Sequence, residues 1–294
     1  MHLKRQENLI GYAFVTPALL AFLTFVAFPF FFSIFLAFTD WNFLSGIGGI
    51  KIVGLKNFVK LAADRRFKQA ILNTFIYAAA TVPTSIILSL VLAYLLNGRV
   101  YAKRFLRLCF FIPYISSVVA LSAVFKFLFR EDGLVNTALL SLHLIQTPLK
   151  WMTNSSLCRV PIILLLIWTA VGYEMIVYMA ALQNVPRDLY EAAEIDGASG
   201  LQQFLHITVP LISPTTFYLV IVRLITAFKL FSAVNVMTMG TPALTNTSVV
   251  VEVYSNAFVS YKFGYASAEA LVLFFIILLI TGLNFWGQKK WVHY

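Results

Sequence analysis

The stretch that decides the fold is EAAEIDGASGLQQFLHITVP, residues 191–210. It is polar and rich in helix-forming residues, and an apolar segment of membrane-spanning length lies on each side of it. Gly197 follows the helix-forming run and can adopt the positive φ angle that closes a helix. The pattern predicts a short helix–turn–helix loop with a membrane segment at each end. Such a loop offers a binding site for another protein.

The composition indicates an integral membrane protein. Of the 294 residues, 60% are hydrophobic and 12% are charged, whereas soluble domains carry about 25% charged residues. The net charge of +10 suits anionic lipid headgroups better than nucleic acid, because Lys and Arg lie mainly between apolar segments. Cys109 and Cys158 are predicted to be reduced structural thiols, since neither a disulfide framework nor metal-ligand spacing is present in the sequence.

Six apolar segments predict six transmembrane helices and an all-α membrane protein. The predicted spans, from first to last, are residues 10–38, 70–96, 108–127, 161–182, 210–231 and 266–286. The first is expected to tilt or bend near Pro17 or Pro29. A short amphipathic helix at 55–61 is expected to lie on the surface. Residues 130–159 and 230–251 are predicted to be loops, the second with a short amphipathic piece.

The orientation of the spans depends on where the basic residues lie. Six spans place both termini on one side, but Lys and Arg are almost equally numerous on the two sides. The 97–107 loop is short and purely basic, and the positive-inside rule gives most weight to such loops. Both termini and the 183–209 loop are therefore predicted to be cytoplasmic.

The sequence offers no clear set of catalytic residues. Residues 282–289 carry two glycines at the spacing of a phosphate-binding loop, but Gln288 stands where that loop requires Lys. No Ser/His/Asp set shares one segment, and no His-rich helix suggests a metal. Two other classes stay open: a self-sufficient six-span secondary transporter or channel, which would typically show an inverted repeat, and an intramembrane enzyme.

The opening stretch resembles the EAA signature of the membrane subunits of binding-protein-dependent ABC importers. The matching positions are Glu191, Ala192, Ala193, Asp196, Gly197, Ile207 and Pro210. Val209 departs conservatively from the family's Leu. Other stretches are similar to the carbohydrate-uptake branch, the maltose-type and glycerol-phosphate-type permeases: VGLKNF at 53–58, LNT at 72–74 and DGLVN at 132–136. In that family the loop is a coupling helix that docks into a groove on an ATPase.

The resemblance implies the type I ABC importer permease fold, with a cytoplasmic coupling helix between spans four and five. Residues 1–66 would form an N-terminal span and an extracytoplasmic loop with the surface helix, 67–286 the permease core, and 287–294 a cytoplasmic tail. The implied partners are a second homologous permease, usually a different chain, two cytoplasmic ATPase subunits holding ATP and Mg, and an extracytoplasmic solute-binding protein. The chain itself is expected to be non-catalytic, without cofactor or metal, in a bacterial or archaeal inner membrane.

The same resemblance implies a pathway for a sugar or related polyol. Positions matching the sugar site of the maltose-type permease are Tyr114, Tyr173, Arg223, Ala227 and Leu230, although Arg223 replaces a small polar residue of the family. The tyrosine rings are expected either to stack on sugar faces or simply to pack. Lys229 and Lys126, near span ends, are expected only to snorkel.

Two charges in the predicted spans need partners. Glu174 lies near the middle of span four and Arg223 near the middle of span five. A charge in mid-membrane costs about 2.5–3.5 kcal/mol on insertion scales, so it usually faces a cavity or a partner. We expect the two to pair with each other, with an anionic or hydroxyl-rich substrate, with the partner permease or with backbone.

Overall fold

The computed structural model describes residues 2–98, 100–238, 243–289 and 292. These residues form helices joined by loops, and their only β pairing is one isolated bridge between Thr39 and Ile52. The α-helices, in chain order, are α1 His2–Phe22, α2 Phe28–Ala37, α3 Lys56–Ala63, α4 Arg65–Asn97, α5 Lys103–Ile115, α6 Val118–Leu128, α7 Leu134–Ser141, α8 Val160–Gln183, α9 Arg187–Ile195, α10 Gly200–Gln203, α11 Val209–Leu211, α12 Ser213–Phe228, α13 Ser232–Met237, α14 Val249–Tyr254 and α15 Phe263–Gln288.

All six predicted spans have helical counterparts among the described residues. Four helical stretches are individually long and apolar enough to cross a membrane: Gly11–Ala37, α4, α8 and α15. In the first of these, a π-helical turn at Leu23–Ala27 joins α1 to α2. It lies ahead of Pro29, whose missing N–H cannot continue the α-helical hydrogen bonding. Two further spans are bent pairs, α5 with α6 and Gly200–Leu211 with α12.

The third predicted span, residues 108–127, is formed by two helices and not by one continuous helix. α5 and α6 meet at 98°, and Ser116 between them has extended φ and ψ angles of −78° and 152°. Pro113 disturbs the last turn of α5 because it has no N–H and crowds the preceding carbonyl. The Ser116 hydroxyl then donates back to the carbonyl of Ile112 at 2.8 Å, so the helix ends there and the chain turns sharply.

The fifth span also bends, by 67°, and its helix begins ten residues before the predicted Pro210, at Gly200. The bend lies at Ile212, between Pro210 and Pro214, because each proline withholds a backbone donor from the preceding turn. The Ser213 hydroxyl donates to the carbonyl of Pro210 at 2.6 Å and satisfies one freed acceptor.

Both predicted loops contain helices. Residues 130–159 include α7, which the sequence analysis missed. Residues 230–251 include α13, the predicted amphipathic piece, which buries Ala233, Val234 and Met237 on one face. Residues 239–242 of this loop, and half of the predicted tail at 287–294, lie outside the described residues.

The chain divides into two compact units, one comprising the chain up to Asp64 with Val253–Val272, the other Arg65–Glu252 with the chain from Leu273 onward. In the first unit the buried Asn57 of α3 donates to the carbonyls of Ala37 at 2.9 Å and Thr39 at 2.8 Å. These bonds tie the predicted surface helix to the end of the first span. The domain boundaries proposed from the sequence remain predictions.

In the second unit α4, α5 and α6 pack against α8, and α12 packs against both α4 and α8. Its buried apolar cluster comprises Tyr77, Ile162, Leu165, Leu230, Ala233, Val234, Met237 and Val251. Gly172 sets the close approach of α5 to α8, because a Cβ at this position would overlap the carbonyl oxygen of Phe110. This contact brings Tyr114, near the end of α5, beside Tyr173 of α8.

Candidate functional site

The stretch from Arg187 to Leu211 is built as a compact two-helix loop. α9 ends in a Schellman motif, because the N–H of Ala198 bonds to the carbonyl of Ala193 at 2.8 Å and the N–H of Gly197 to that of Glu194 at 3.0 Å. Gly197 has φ +77°, the positive angle predicted from the sequence. The geometry satisfies the last carbonyls of α9 and fixes the direction of the chain that follows.

The second half of the loop is fixed just as closely. Ser199 and Gln202 form a reciprocal capping box at the start of α10, which satisfies backbone donors at that helix end. The Tyr190 hydroxyl lies 2.8 Å from the Thr208 hydroxyl. This contact joins α9 to the helical stretch Gly200–Leu211 (the returning helix). The ring of Phe204 packs against that of Tyr94 in α4, with the ring centroids 4.6 Å apart. A loop held at both ends in this way can move as a rigid piece.

The loop presents apolar side chains away from the chain. Ile195 is 87% exposed and Leu201 is 68% exposed. Leu189, Ala192 and Ile195 share the outer face of α9, while Tyr190 and Ala193 turn inward. Exposed apolar side chains grouped on a polar loop typically mark a protein interaction site.

The structure distributes the predicted coupling residues over this loop. Glu191 and Asp196 are exposed, like Ala192, whereas Ile207 and Pro210 are half-buried in the returning helix. Tyr190 and Thr208 were not predicted from the sequence, since a hydroxyl pair eighteen residues apart leaves no periodic signal. This placement does not test the roles of the predicted coupling residues, so the coupling assignment stays a prediction.

Glu174 and Arg223, which the sequence left with several alternative partners, form an ion pair within the chain. Arg223 Nε lies 2.8 Å from Glu174 Oε1, although its N–H does not have the directed geometry of a hydrogen bond. The Glu174 side chain is 0% exposed and that of Arg223 is 14% exposed. The guanidinium also reaches the carbonyl of Leu166, with Nη2 at 3.4 Å.

Two serines of α4 complete this buried polar cluster. Ser85 and Ser89 lie within hydrogen-bond reach of the two carboxylate oxygens of Glu174, each at 3.2 Å. The cluster therefore links α4, α8 and α12 at one point inside the second unit. The four-residue spacing of the serines places them on one helix face, a signal that could have identified them beforehand.

Tyr114 and Tyr173 lie against each other. Their rings are nearly parallel, 17° apart, with centroids at 4.8 Å. Tyr218, which the sequence analysis did not single out, joins them, since its hydroxyl lies 3.4 Å from that of Tyr173. Tyr114 and Tyr218 are exposed and Tyr173 is half-buried, so the three rings (the tyrosine patch) line an open face of the second unit.

Ala227 and Leu230 do not join the tyrosine patch. Both are 6% exposed, and Leu230 belongs to the buried apolar cluster of the second unit. Packing accounts for both residues, and their assignment to a solute pathway stays a prediction.

Comparison with known proteins identifies the family of this chain. Residues 59–292 match the family described as the inner membrane component of binding-protein-dependent transport systems. A probable ABC transporter permease of Bacillus subtilis is 35% identical over 279 residues, 94% of each chain. The lactose transport system permease protein LacF of Rhizobium radiobacter is 34% identical over 98% of this chain and 97% of its own.

A solved structure supports the fold in the same way. A chain of a bacterial ABC transporter involved in import of the acidic polysaccharide alginate superposes with a TM-score of 0.85 over 99% of both chains, at 24% identity. The fold is therefore that of a type I ABC importer permease, as predicted. The chain belongs to the family of inner membrane components of binding-protein-dependent transport systems.

Proposed function

We propose that this chain forms half of the pathway of an ATP-driven sugar importer and receives the motion of a separate ATPase through the loop Arg187–Leu211. The observation that carries the proposal is the exposed apolar face of a rigid loop. Ile195 and Leu201 are largely exposed within the described part of the chain, yet the Schellman motif and capping box hold them in place. A helix-in-groove contact would cover them.

The rigidity of the loop gives the proposal its mechanism. Force applied to α9 passes to the returning helix through the Tyr190–Thr208 contact and on to α12. α8, on the other side of the loop, carries Glu174, which is paired to Arg223 of α12. Displacement of the loop is thereby distributed to two spans together, as rigid-body coupling requires.

The proposed cargo is a saccharide or related polyol. The tyrosine patch supports this class, because aromatic faces stack on sugar rings while phenol hydroxyls bond sugar hydroxyls. The relative from Rhizobium radiobacter is named for lactose. We assign no direct solute contact to Glu174, since its side chain is fully buried and paired.

The remaining subunits follow from this role. A second homologous permease, a different chain in the expected heterodimer, would complete the pathway. Two cytoplasmic ATPase subunits would hold ATP and Mg, a binding protein would deliver the solute from outside, and both termini of this chain would be cytoplasmic. This chain would contribute no catalytic residue, cofactor or metal.

Ile195→Asp tests the coupling assignment in the assembled complex. The substitution puts a charge into the proposed contact without disturbing the fold, because the side chain is exposed. Co-purification of the ATPase and ATP-driven uptake should both be lost. Leu142→Asp, at a leucine that is 67% exposed elsewhere in the second unit, is the matched control and should retain both. Normal ATPase retention and uptake in Ile195→Asp would refute the assignment.

A further inference from the structure

A separate cavity lies at the other end of α8 from the coupling loop. It has a volume of about 490 Å³, and its lining includes Lys126, Arg130, Glu131, Lys150, Trp151 and Asn246. The 150–153 segment of the lining precedes α8, whereas the coupling loop follows it. α8 has 24 residues, about 36 Å at 1.5 Å per residue. The cavity therefore faces the side of the membrane opposite the loop.

The walls of the cavity are fixed by one buried side chain, Asn136 of α7, which is 1% exposed. Its Nδ2 donates to the carbonyls of Arg130 at 3.2 Å, Glu131 at 3.1 Å and Leu149 at 2.9 Å. Its Oδ1 accepts from the Trp151 indole N–H at 3.0 Å. Two opposite walls are thus joined through one amide, so the cavity has a defined shape.

The lining carries three basic side chains, Lys126, Arg130 and Lys150, against one carboxylate, Glu131, so its net charge is positive. Arg130 is already committed to Asp132, with contacts of 2.9 and 3.1 Å. Lys126 and Lys150 have no carboxylate within 4.0 Å among the described residues. Lys126 is half-buried as a residue. An ammonium without a close counter-charge favours binding of an anion, to which it can donate charge-assisted hydrogen bonds.

Asn246 contributes an unused polar group to the same cavity. It is 2% exposed, and its side-chain oxygen has no donor among the described residues. The main chain of Asn246 is held in place, because its carbonyl accepts a hydrogen bond from the Tyr77 hydroxyl at 2.9 Å. A buried acceptor without a donor is costly, and a ligand hydroxyl would relieve that cost after a small rotation of the amide.

We propose that this cavity binds a hydroxyl-bearing anion, a carbohydrate with a carboxylate or phosphate group, on the side where the solute arrives. Lys126 and Lys150 would take the anionic group, Asn246 a hydroxyl, and the Trp151 ring a sugar face. An acidic side chain of a docking protein fits less well, because it brings no donor for Asn246. The proposal rests on the proposed function, which makes this side extracytoplasmic.

Ligand-observed saturation-transfer NMR tests the cavity in the full chain, held in nanodiscs of neutral phosphatidylcholine. The probes are glucuronate, glucose 6-phosphate and glucose, so the two anions distinguish carboxylate from phosphate recognition. At least one anion should bind about tenfold or more tightly than glucose. Lys126→Gln and Lys150→Gln should each weaken that anion about tenfold, and Lys229→Gln, outside the cavity, should leave it unchanged.

Asn246→Ala provides a second readout that charge alone does not move. It should weaken the bound sugar anion severalfold and leave acetate, which has no hydroxyl, unaffected. Equal binding of glucose and the anions, or full anion affinity in both lysine variants with unchanged thermal stability, would overturn the proposal. Preferential binding of a glutamate-rich peptide would overturn it in favour of protein docking. Ile195→Asp reports on coupling alone, so the two proposals can fail separately.

Discussion

Removing Arg223 should destabilise the chain strongly, because it would leave the Glu174 carboxylate buried without a counter-charge. Arg223 Nε lies 2.8 Å from Glu174 Oε1, a distance at which opposite charges attract by about 6 kcal/mol at an effective dielectric constant of about 20. Ser85 and Ser89 would remain as hydrogen-bond donors, but hydroxyls do not replace a positive charge.

The expected cost of Arg223→Met is about 3–5 kcal/mol, the usual range when one partner of a buried pair is removed. At about 2–4 °C per kcal/mol for a chain of this size, the unfolding temperature should fall by about 6–20 °C. The assay is the temperature at which half of the detergent-solubilised protein leaves the monodisperse peak in size-exclusion chromatography.

The double variant Glu174→Leu/Arg223→Met is the matched control. It removes both charges and should recover most of the lost stability, because apolar replacements of a buried pair are often neutral or better. It should also retain solute uptake, because apolar contact between the two replaced side chains would keep α8 linked to α12. An unchanged unfolding temperature in Arg223→Met, or a double variant no more stable than the single one, would refute this reasoning.

Three further predictions concern packing and backbone geometry. Gly172→Ala should lower the unfolding temperature by several degrees, because the added methyl group would overlap the α5 backbone. Gly282→Ala meets open space and should be neutral or slightly stabilising. Equal shifts of the unfolding temperature in the two variants would contradict the packing account. Gly197→Ala should cost about 1–2 kcal/mol at φ +77° and speed proteolysis of the coupling loop, and an unchanged cleavage rate would count against a left-handed residue there. Tyr77→Phe removes the hydroxyl that bonds the Asn246 carbonyl and should cost about 1 kcal/mol, measured by thermal unfolding; no shift would show that the bond is not formed.

Sequence reasoning located the membrane helices because a span needs only length and apolarity. The spans predicted at 161–182 and 266–286 agree with α8 and α15 to within three residues at each end. It also placed the positive φ angle at Gly197, since a helix closed by glycine leaves a local signature. It missed the corner at Ser116, because a proline inside an apolar run is compatible with both a kinked and a broken helix.

The arrangement of the candidate site was less accessible from the sequence. The ion pair was one of several alternatives, because the sequence does not reveal how each helix is rotated about its axis and hence which way a mid-span charge points. Tyr218 and Asn136 act through contacts with residues distant in sequence or in another segment, so neither stood out. Lys126 carried no predicted role, since only the cavity brings it near Lys150 and Asn246.

The central claim, that an ATPase docks on the outer face of α9, is tested most directly by cross-linking. Cys109 is exposed, so Ile195→Cys is best placed in a Cys109→Ser background and labelled with a photoactivated maleimide in the assembled complex. The account predicts a cross-link between this position and the ATPase subunit, and none from a matched Leu142→Cys variant. Cross-linking of Ile195→Cys only to lipid or to other membrane subunits, with the ATPase present and active, would contradict it.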